Sequence, residues 1–133
     1  MPNDKKIILV IEDELPLIEA IRAKLTKSGF EVITARSIEQ AKNHMQDIAG
    51  IDVIWLDHYL LGKGDGLDFI AWCKTDSTCC KKIPVFVVSN TAGSDKVQSY
   101  LRLGVEKYYV KSEKRLGAII KDIKLYLSNT KRE

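Results

Sequence analysis

The sequence of 133 residues lacks several features that define common protein classes. No apolar run approaches the roughly 18 residues that a membrane-spanning helix needs, and the N-terminal stretch leads directly into a predicted strand rather than an export signal. A cytoplasmic location is therefore expected. The net charge is only +3, and the basic residues are scattered rather than gathered into one stripe with aromatic residues. Nucleic-acid binding is therefore not predicted.

Cysteine and histidine are too few and too dispersed for a zinc site. The three cysteines, Cys73, Cys79 and Cys80, form no C-x-x-C motif, and adjacent cysteines do not pair readily with each other. The two histidines, His44 and His58, lie in different predicted elements, whereas a structural zinc site needs about four nitrogen or sulfur ligands at motif spacing. We predict thiols rather than a metal site at these cysteines.

The chain also lacks a linker rich in proline, glycine or serine. Its length fits one domain, and its 45% apolar and 29% charged residues are typical of an ordinary globular domain. We predict a single domain over residues 1–133, with a core from about residue 5 to about residue 128 and no output domain.

Four short apolar runs each end on a polar residue that is capable of chemistry. Such runs are typical of strands that are buried on both faces in a parallel sheet. They are residues 7–11 before Glu12 and Asp13, residues 53–56 before Asp57, residues 85–88 before Ser89, and residues 108–110 before Lys111. Because the carboxyl ends of parallel strands meet at one edge, where ligands bind in open α/β sheets, these polar groups are predicted to converge.

Helical spacing separates the strands, so that strand and helix alternate along the chain. Helices are predicted to begin after Asp13, at the capping box of residues 37–40, near Leu67, at a cap on Ser94 and near Leu116. The fourth helix is expected to turn Val97, Tyr100 and Leu101 inward. Five strand-helix units are too few to close an eightfold barrel, so we predict an open α/β sheet with helices on both faces.

Three clustered carboxylates indicate a metal. Two such groups about 4 Å apart repel each other by roughly 4 kcal/mol at an effective dielectric constant of about 20. Lys111 alone cannot balance Glu12, Asp13 and Asp57. One divalent cation supplies the missing charge, and oxygen ligands suit Mg²⁺, which is the predicted cofactor. The alternative is that Glu12 and Asp13 only cap the first helix.

The arrangement resembles the receiver domains of two-component response regulators, of the chemotaxis-protein type. The resemblance rests on Glu12 and Asp13, on the loop D-H-Y-L-L-G-K-G-D-G that begins at Asp57, on Ser89 and on Lys111. It covers essentially the whole chain. It implies a flavodoxin-like (βα)5 three-layer sandwich whose five-stranded parallel sheet has the order 2-1-3-4-5, and phosphorylation of one aspartate by a partner histidine kinase.

The resemblance implies a role for each residue of the site. Asp57 would accept a phosphoryl group from a sensor histidine kinase or a histidine phosphotransfer protein. Lys111 and Ser89 would each hold one phosphoryl oxygen. The implied metal ligands are Asp13, Asp57 and the backbone carbonyl of Tyr59, with Glu12 acting mostly through water.

The resemblance also implies a mechanical output. Ser89 would be drawn toward the phosphoryl group, and Tyr108, three residues before the lysine, would turn into the vacated space. The face of helix four, strand five and helix five, with Tyr100 and Tyr108, is the expected surface for a downstream protein. Tyr59 and Thr91 occupy positions that flank the path of the hydrolytic water in relatives, and the bulk of Tyr59 is expected to prolong the phosphorylated state.

Three residues depart from the family pattern. Leu61 and Ser112 stand where proline is common, and Asn90 stands where a small residue is usual. A cis bond after Lys111 is not assumed, because a non-proline cis bond costs about 3 kcal/mol. Ser112 is instead expected to cap the last helix.

Two other classes of function stay open at this point. A pseudo-receiver would keep the fold as a binding module without phosphorylation, but the retained Asp57, Ser89 and Lys111 argue against it. A phosphatase of the haloacid-dehalogenase type also uses an aspartate nucleophile, but it requires a second aspartate where this chain has Tyr59. The favoured interpretation is a signalling switch rather than an enzyme.

Overall fold

The computed structural model describes residues 5–75, 82–90 and 93–129. Within these ranges the strands are β1 (Ile7–Ile11), β2 (Glu31–Ala35), β3 (Ile51–Leu56), β4 (Val85–Ser89) and β5 (Lys107–Val110). The helices are α1 (Leu15–Lys27), α2 (Ile38–Asp47), α3 (Gly66–Thr75), α4 (Ser94–Arg102) and α5 (Leu116–Asn129), with a short 3-10 helix at Lys111–Glu113. No described helix combines the length and the apolar character that a bilayer crossing requires.

The strands form one parallel sheet in the order β2-β1-β3-β4-β5, which confirms the predicted order. The register aligns the strand ends. Ile11 is paired with Ala35 on one side and with Leu56 on the other, and Leu56 is paired with Val87. The residues that follow these strands therefore leave the sheet at the same edge.

Helices cover both faces of the sheet, as predicted. Side chains alternate across a strand, so Trp55 and Leu56 belong to two different apolar clusters. The cluster under α1 and α5 includes Val53, Trp55, Val88, Ile21 and Ile120. The cluster under α2, α3 and α4 includes Leu9, Leu56, Val87, Ile70 and Tyr100. The sheet is thus the middle of three layers.

Local signals explain several of the helix ends, including the start of α2 that the capping box predicts. The hydroxyl oxygen of Ser37 accepts a hydrogen bond from the backbone N–H of Gln40 at 3.1 Å, which caps α2. Gly29 and Gly104 follow the ends of α1 and α4 with φ angles of 97° and 94°, a left-handed conformation that favours glycine. The chain can therefore turn sharply back toward β2 and β5.

The prediction for the start and inner face of α4 was partly wrong. Gly93, not Ser94, is the N-cap residue, and it provides no side-chain hydrogen bond. Tyr100 is fully buried, but Leu101 is 42% exposed. The apolar side of this short helix is therefore narrower than the sequence pattern indicates.

Two further predictions are corrected. Ser112 lies in the 3-10 helix and does not cap α5, which begins only at Leu116; the peptide bond between Lys111 and Ser112 is trans. Cys73 is disulfide-bonded and not a free thiol. Cys79, Cys80 and Thr91 lie outside the described residues.

Removing a buried side chain next to the strand ends should destabilise the fold. Leu56 is 0% exposed in the central strand β3, and Leu56→Ala should lower the free energy of unfolding by about 2 to 5 kcal/mol. Leu125 on α5 is 53% exposed, so Leu125→Ala is the matched control and should change it by no more than about 0.5 kcal/mol. Urea unfolding checks both values, and equal effects of the two substitutions would contradict the described packing.

Candidate functional site

Three carboxylates meet at the carboxyl edge of the sheet. Glu12 and Asp13 directly follow β1, and Asp57 directly follows the neighbouring strand β3. One oxygen atom from each of the three lies within 4.8 Å of the others. Glu12 is 0% exposed and Asp57 is 4% exposed, whereas Asp13 is half-buried. Such a cluster of buried negative charges requires nearby positive charge.

Lys111 supplies part of that charge from the end of β5. Its Nζ lies 3.1 Å from Oε1 of Glu12 and 3.5 Å from Oδ2 of Asp57. Burial by itself lowers the pKa of Lys111, but the carboxylates of Asp57 and Glu12 outweigh this effect and raise the pKa overall. The ammonium group is therefore held in its charged form between two carboxylates.

The buried carboxylate of Glu12 is only partly compensated by its surroundings. Burial, and then the negative charge of Asp57, raises its pKa from 4.5 to about 7, although Lys111 opposes both effects. Its Oε1 accepts no well-aligned hydrogen bond among the described residues, so that the ion pair with Lys111 is its main compensation. One ammonium group does not satisfy this acid.

Asp57 connects the cluster to β4. Burial raises the pKa of Asp57, and Lys111 and a hydrogen bond from the Ser89 hydroxyl partly offset the increase. Ser89 is fully buried at the end of β4, and its side chain is also hydrogen-bonded to the side chain of Tyr108. A hydrogen-bonded path therefore leads from Asp57 through Ser89 to β5.

The donor atoms fit a hard divalent cation. All three ligand atoms of the cluster are carboxylate oxygens, and oxygen ligands are those that Mg²⁺ prefers. Glu12 and Asp57 are both destabilised as anions by burial, so a cation would relieve the repulsion that Lys111 leaves. This is the only group of three or more potential metal ligands within residues 5–75, 82–90 and 93–129.

The two neighbouring tyrosines of β5 face opposite sides of the sheet, because side chains alternate along a strand. Tyr108 packs on the α4 side, and Tyr109 belongs to the cluster under α5. The ring of Tyr108 contacts the ring of Tyr100 with centroids 5.5 Å apart. Tyr100 itself is 0% exposed, so the expectation that it lies on an exposed partner surface was wrong.

Sequence reasoning missed a buried contact between the site and α4. Nδ1 of His58, the residue after Asp57, lies 2.6 Å from the hydroxyl oxygen of Tyr100. Gly66 makes this contact possible, because a Cβ atom there would collide with the Tyr100 hydroxyl and would lie 2.9 Å from the carbonyl oxygen of Asp57. Burial lowers the pKa of His58, and Asp65, 3.6 Å from its Nε2, opposes this effect.

Arg36 was also missed, since an arginine after a strand has no specific sequence signal. Its Nε and Nη2 atoms donate hydrogen bonds to the backbone carbonyl of Asp13 at 3.1 and 2.7 Å. Its own backbone carbonyl accepts a hydrogen bond from the N–H of Leu61 at 3.0 Å. The connection after β2 therefore contacts the segments that follow β1 and β3.

Comparison with known proteins gives an independent result. A family model described as the response regulator receiver domain matches residues 8–124. The phosphate regulon transcriptional regulatory protein PhoB of Escherichia coli is 33% identical over 118 residues, which cover 87% of this chain and 50% of PhoB. The chain thus spans about half the length of this relative.

Solved structures are similar over nearly the whole chain. The phosphorylated cyanobacterial phytochrome response regulator RcpA is 28% identical, with a TM-score of 0.78 and coverage of 93% of this chain and 92% of that one. The Mn²⁺-bound form of response regulator Rcp1 is 26% identical, with a TM-score of 0.80 and coverage of 96% and 97%. These similarities therefore concern the complete fold rather than one motif.

The raised pKa of Glu12 should make the stability of the metal-free protein depend on pH. In the folded protein the carboxyl group of Glu12 keeps its proton up to about pH 7, whereas in the unfolded chain it releases the proton near pH 4.5. The stabilising contribution is therefore fully present below pH 4.5 and is lost as the pH rises through about 7.

Glu12→Gln should remove this contribution. Between about pH 5 and about pH 8 the parent should lose on the order of 2 kcal/mol of unfolding free energy relative to the variant. Urea unfolding with a chelator present measures this difference. Exposed Glu19 on α1 provides the control Glu19→Gln, whose pH profile should match that of the parent. Parallel pH profiles for the parent and Glu12→Gln would show that the pKa of Glu12 is not raised in the folded protein.

Proposed function

The chain belongs to the response-regulator receiver domain family, and we propose that it accepts a phosphoryl group on Asp57 in a Mg²⁺-dependent reaction. Members of this family are signalling switches that interact with histidine kinases and downstream effectors. The expected donor is therefore a histidine kinase or a histidine phosphotransfer protein. The observation that carries the proposal is the buried Asp57 carboxylate, clustered with two other acids and 3.5 Å from the ammonium group of Lys111.

In the proposed reaction an oxygen of Asp57 attacks the phosphorus of a phosphohistidine. A P–O bond forms to the aspartate as the P–N bond to the histidine breaks, and the imidazole leaves. A carboxylate needs no general base for this attack, which distinguishes it from a hydroxyl nucleophile. Since transition states for phosphoryl transfer are loose, the protein contributes mainly by positioning charges around the transferred group.

Asp13, Asp57 and the backbone carbonyl of Tyr59 are the proposed metal ligands, with Glu12 acting mostly through water. When bound, Mg²⁺ would supply positive charge to the phosphoryl oxygens and to the crowded carboxylates. Support comes from the three convergent carboxylate oxygens and from the similarity to a response regulator, Rcp1, that has a Mn²⁺-bound form.

Lys111 and Ser89 are the proposed contacts to the phosphoryl group. Lys111 already lies between Glu12 and Asp57, so it can transfer its ion pair from a carboxylate to a phosphoryl oxygen with a small displacement. The Ser89 hydroxyl donates to Asp57 and can donate to a phosphoryl oxygen on the same side chain. Both groups therefore stabilise charge at the place where it develops.

The proposed switch follows from the hydrogen bonds of Ser89. New phosphoryl oxygens on Asp57 would draw the Ser89 hydroxyl inward, and Tyr108, whose side chain is hydrogen-bonded to that of Ser89, would follow it. Tyr108 is half-buried at present. Its reorientation would change the face formed by α4, β5 and α5, where exposed Leu101 offers an apolar contact to a downstream protein.

A pseudo-receiver would have no reason to maintain this electrostatic arrangement. The ammonium group of Lys111 lies against both Glu12 and Asp57, and the burial of these acids is unfavourable without a further cation. Binding of a partner protein at the surface would require none of these charges. The geometry therefore supports phosphorylation over binding alone.

Replacement of the proposed nucleophile should abolish phosphorylation. With a small phosphodonor and Mg²⁺, the parent should gain one phosphoryl group on Asp57, and Asp57→Asn should gain none because the amide is not a nucleophile of this kind. Intact-mass and peptide mass spectrometry measure the incorporation and its position. Exposed Asp47 at the end of α2 provides the control Asp47→Asn, which should be phosphorylated like the parent. Undiminished label in Asp57→Asn would refute the assignment.

Tyr59 is proposed to prolong the phosphorylated state. Its ring is 60% exposed and packs edge-on against His58, with centroids 4.6 Å apart. Tyr59→Asn should shorten the half-life of the phosphorylated protein several-fold, because a smaller polar side chain opens the route for water. Loss of phosphate over time measures the half-life. Leu61, 45% exposed in the same loop, provides the control Leu61→Asn; an unchanged or longer half-life in Tyr59→Asn would contradict the shielding role.

A further inference from the structure

The guanidinium group of Arg36 donates hydrogen bonds to a neutral group beside the acidic cluster. Its Nε and Nη2 atoms both donate to the backbone carbonyl oxygen of Asp13, at 3.1 and 2.7 Å. None of the ion pairs among the described residues involves Arg36, although three carboxylates lie at this edge of the sheet. The two bonds orient the backbone of a residue that supplies a proposed metal ligand.

The backbone of Arg36 is itself well anchored. Its N–H donates to Oε1 of Gln40 at 2.8 Å, and the N–H of Gln40 donates to the hydroxyl oxygen of Ser37 at 3.1 Å. These bonds tie Arg36 to the first turn of α2. The guanidinium group therefore projects from a fixed point rather than from a free loop.

The same residue contacts the loop that follows β3. The carbonyl oxygen of Arg36 accepts the N–H of Leu61 at 3.0 Å, and Ser37 and Leu61 form an isolated parallel bridge. Leu61 lies two residues after Tyr59, whose backbone carbonyl is a proposed metal ligand. Arg36 thus joins the segment that carries Asp13 to the segment that carries Asp57 and Tyr59.

We propose that Arg36 is a positioning residue for the metal site, holding the two ligand-bearing loops in the arrangement that binds Mg²⁺. This inference rests on the proposed function and deepens it, because it assigns a residue outside the ligand set to the same site. Arg36 contacts no proposed ligand atom. It acts through the main chain on both sides of the site, as outer-shell residues do when they orient metal ligands.

The direction in which Mg²⁺ affinity changes when Arg36 is replaced distinguishes a positioning role from a purely electrostatic one. The positive charge of Arg36 disfavours a second cation nearby, so removing that charge should tighten Mg²⁺ binding if charge were its only influence. If Arg36 positions the loops, its removal should weaken Mg²⁺ binding. Arg36→Lys keeps the charge but lacks the two-pronged donor geometry of a guanidinium, and should also weaken binding.

The experiment is a titration with Mg²⁺ monitored by tryptophan fluorescence. Trp55 is fully buried two residues before Asp57, and Trp72→Phe leaves it as the single tryptophan of the two in the chain. In this background Arg36→Gln should weaken Mg²⁺ binding about 10-fold, the lower end of the effect of removing an outer-shell partner. Arg36→Lys should weaken it less but measurably. Arg22→Gln is the control, because among the described residues exposed Arg22 has a single side-chain hydrogen bond, a long one to Thr34 at 3.4 Å.

Hydrogen exchange of the metal-free protein provides a second readout. The amide of Glu12, which precedes Asp13 and donates to the carbonyl oxygen of Ala35 at 3.0 Å, should exchange faster in Arg36→Gln than in the parent, while the amides of the central strand β3 keep their protection. Unchanged or tighter Mg²⁺ binding in Arg36→Gln, or full rescue by Arg36→Lys, would overturn the positioning role. A parent protein that does not bind Mg²⁺ would instead refute the proposed function, so the two failures are distinguishable.

Discussion

The crowding of three carboxylates at one edge of the sheet is the constraint on which the rest of the site depends. Parallel pairing brings the ends of β1 and β3 together, and burial then deprives Glu12 and Asp57 of the water that would screen them. Burial, and then the negative charge of Asp57, raises the pKa of Glu12 to about 7, because Lys111 offsets only part of both effects. The acidic cluster therefore carries unfavourable electrostatic energy that a bound cation would reduce.

The sequence predicted the strands and the acidic cluster because both depend on short-range patterns, whereas the order of the strands in the sheet was implied only by the resemblance to receiver domains. Apolar runs of four or five residues define strands, and the polar residues after them must lie at one edge of a parallel sheet. For Tyr100 the two kinds of prediction disagreed, because helical spacing placed it on the inner face of helix four and the resemblance placed it on the partner surface. The structure agrees with the helical spacing, and the contact with His58 and the space beside Gly66 show how the ring is accommodated in the interior.

Arg36 shows the same limit beside the acidic cluster. A side chain that donates to a backbone carbonyl is not specified by residue type, because every carbonyl is a possible acceptor. The contacts of Arg36 with the segments after β1 and β3 become apparent only in the folded structure, where these segments lie beside the connection after β2. The incorrect predictions that Ser94 and Ser112 cap helices have a related cause. A serine caps a helix only if it occupies the N-cap position with an extended backbone, and neither serine lies at that position.

Two structural routes lead from Asp57 toward the face of α4 and β5. One passes through the Ser89 hydroxyl to Tyr108, and the other passes from the adjacent residue His58 to Tyr100. The rings of Tyr100 and Tyr108 are in contact, so the routes meet on one side of the sheet. A change at Asp57 that moves Ser89 must therefore move Tyr108 against a neighbour that His58 holds in place. The buried pair of His58 and Tyr100 thus restricts the directions in which the ring of Tyr108 can move.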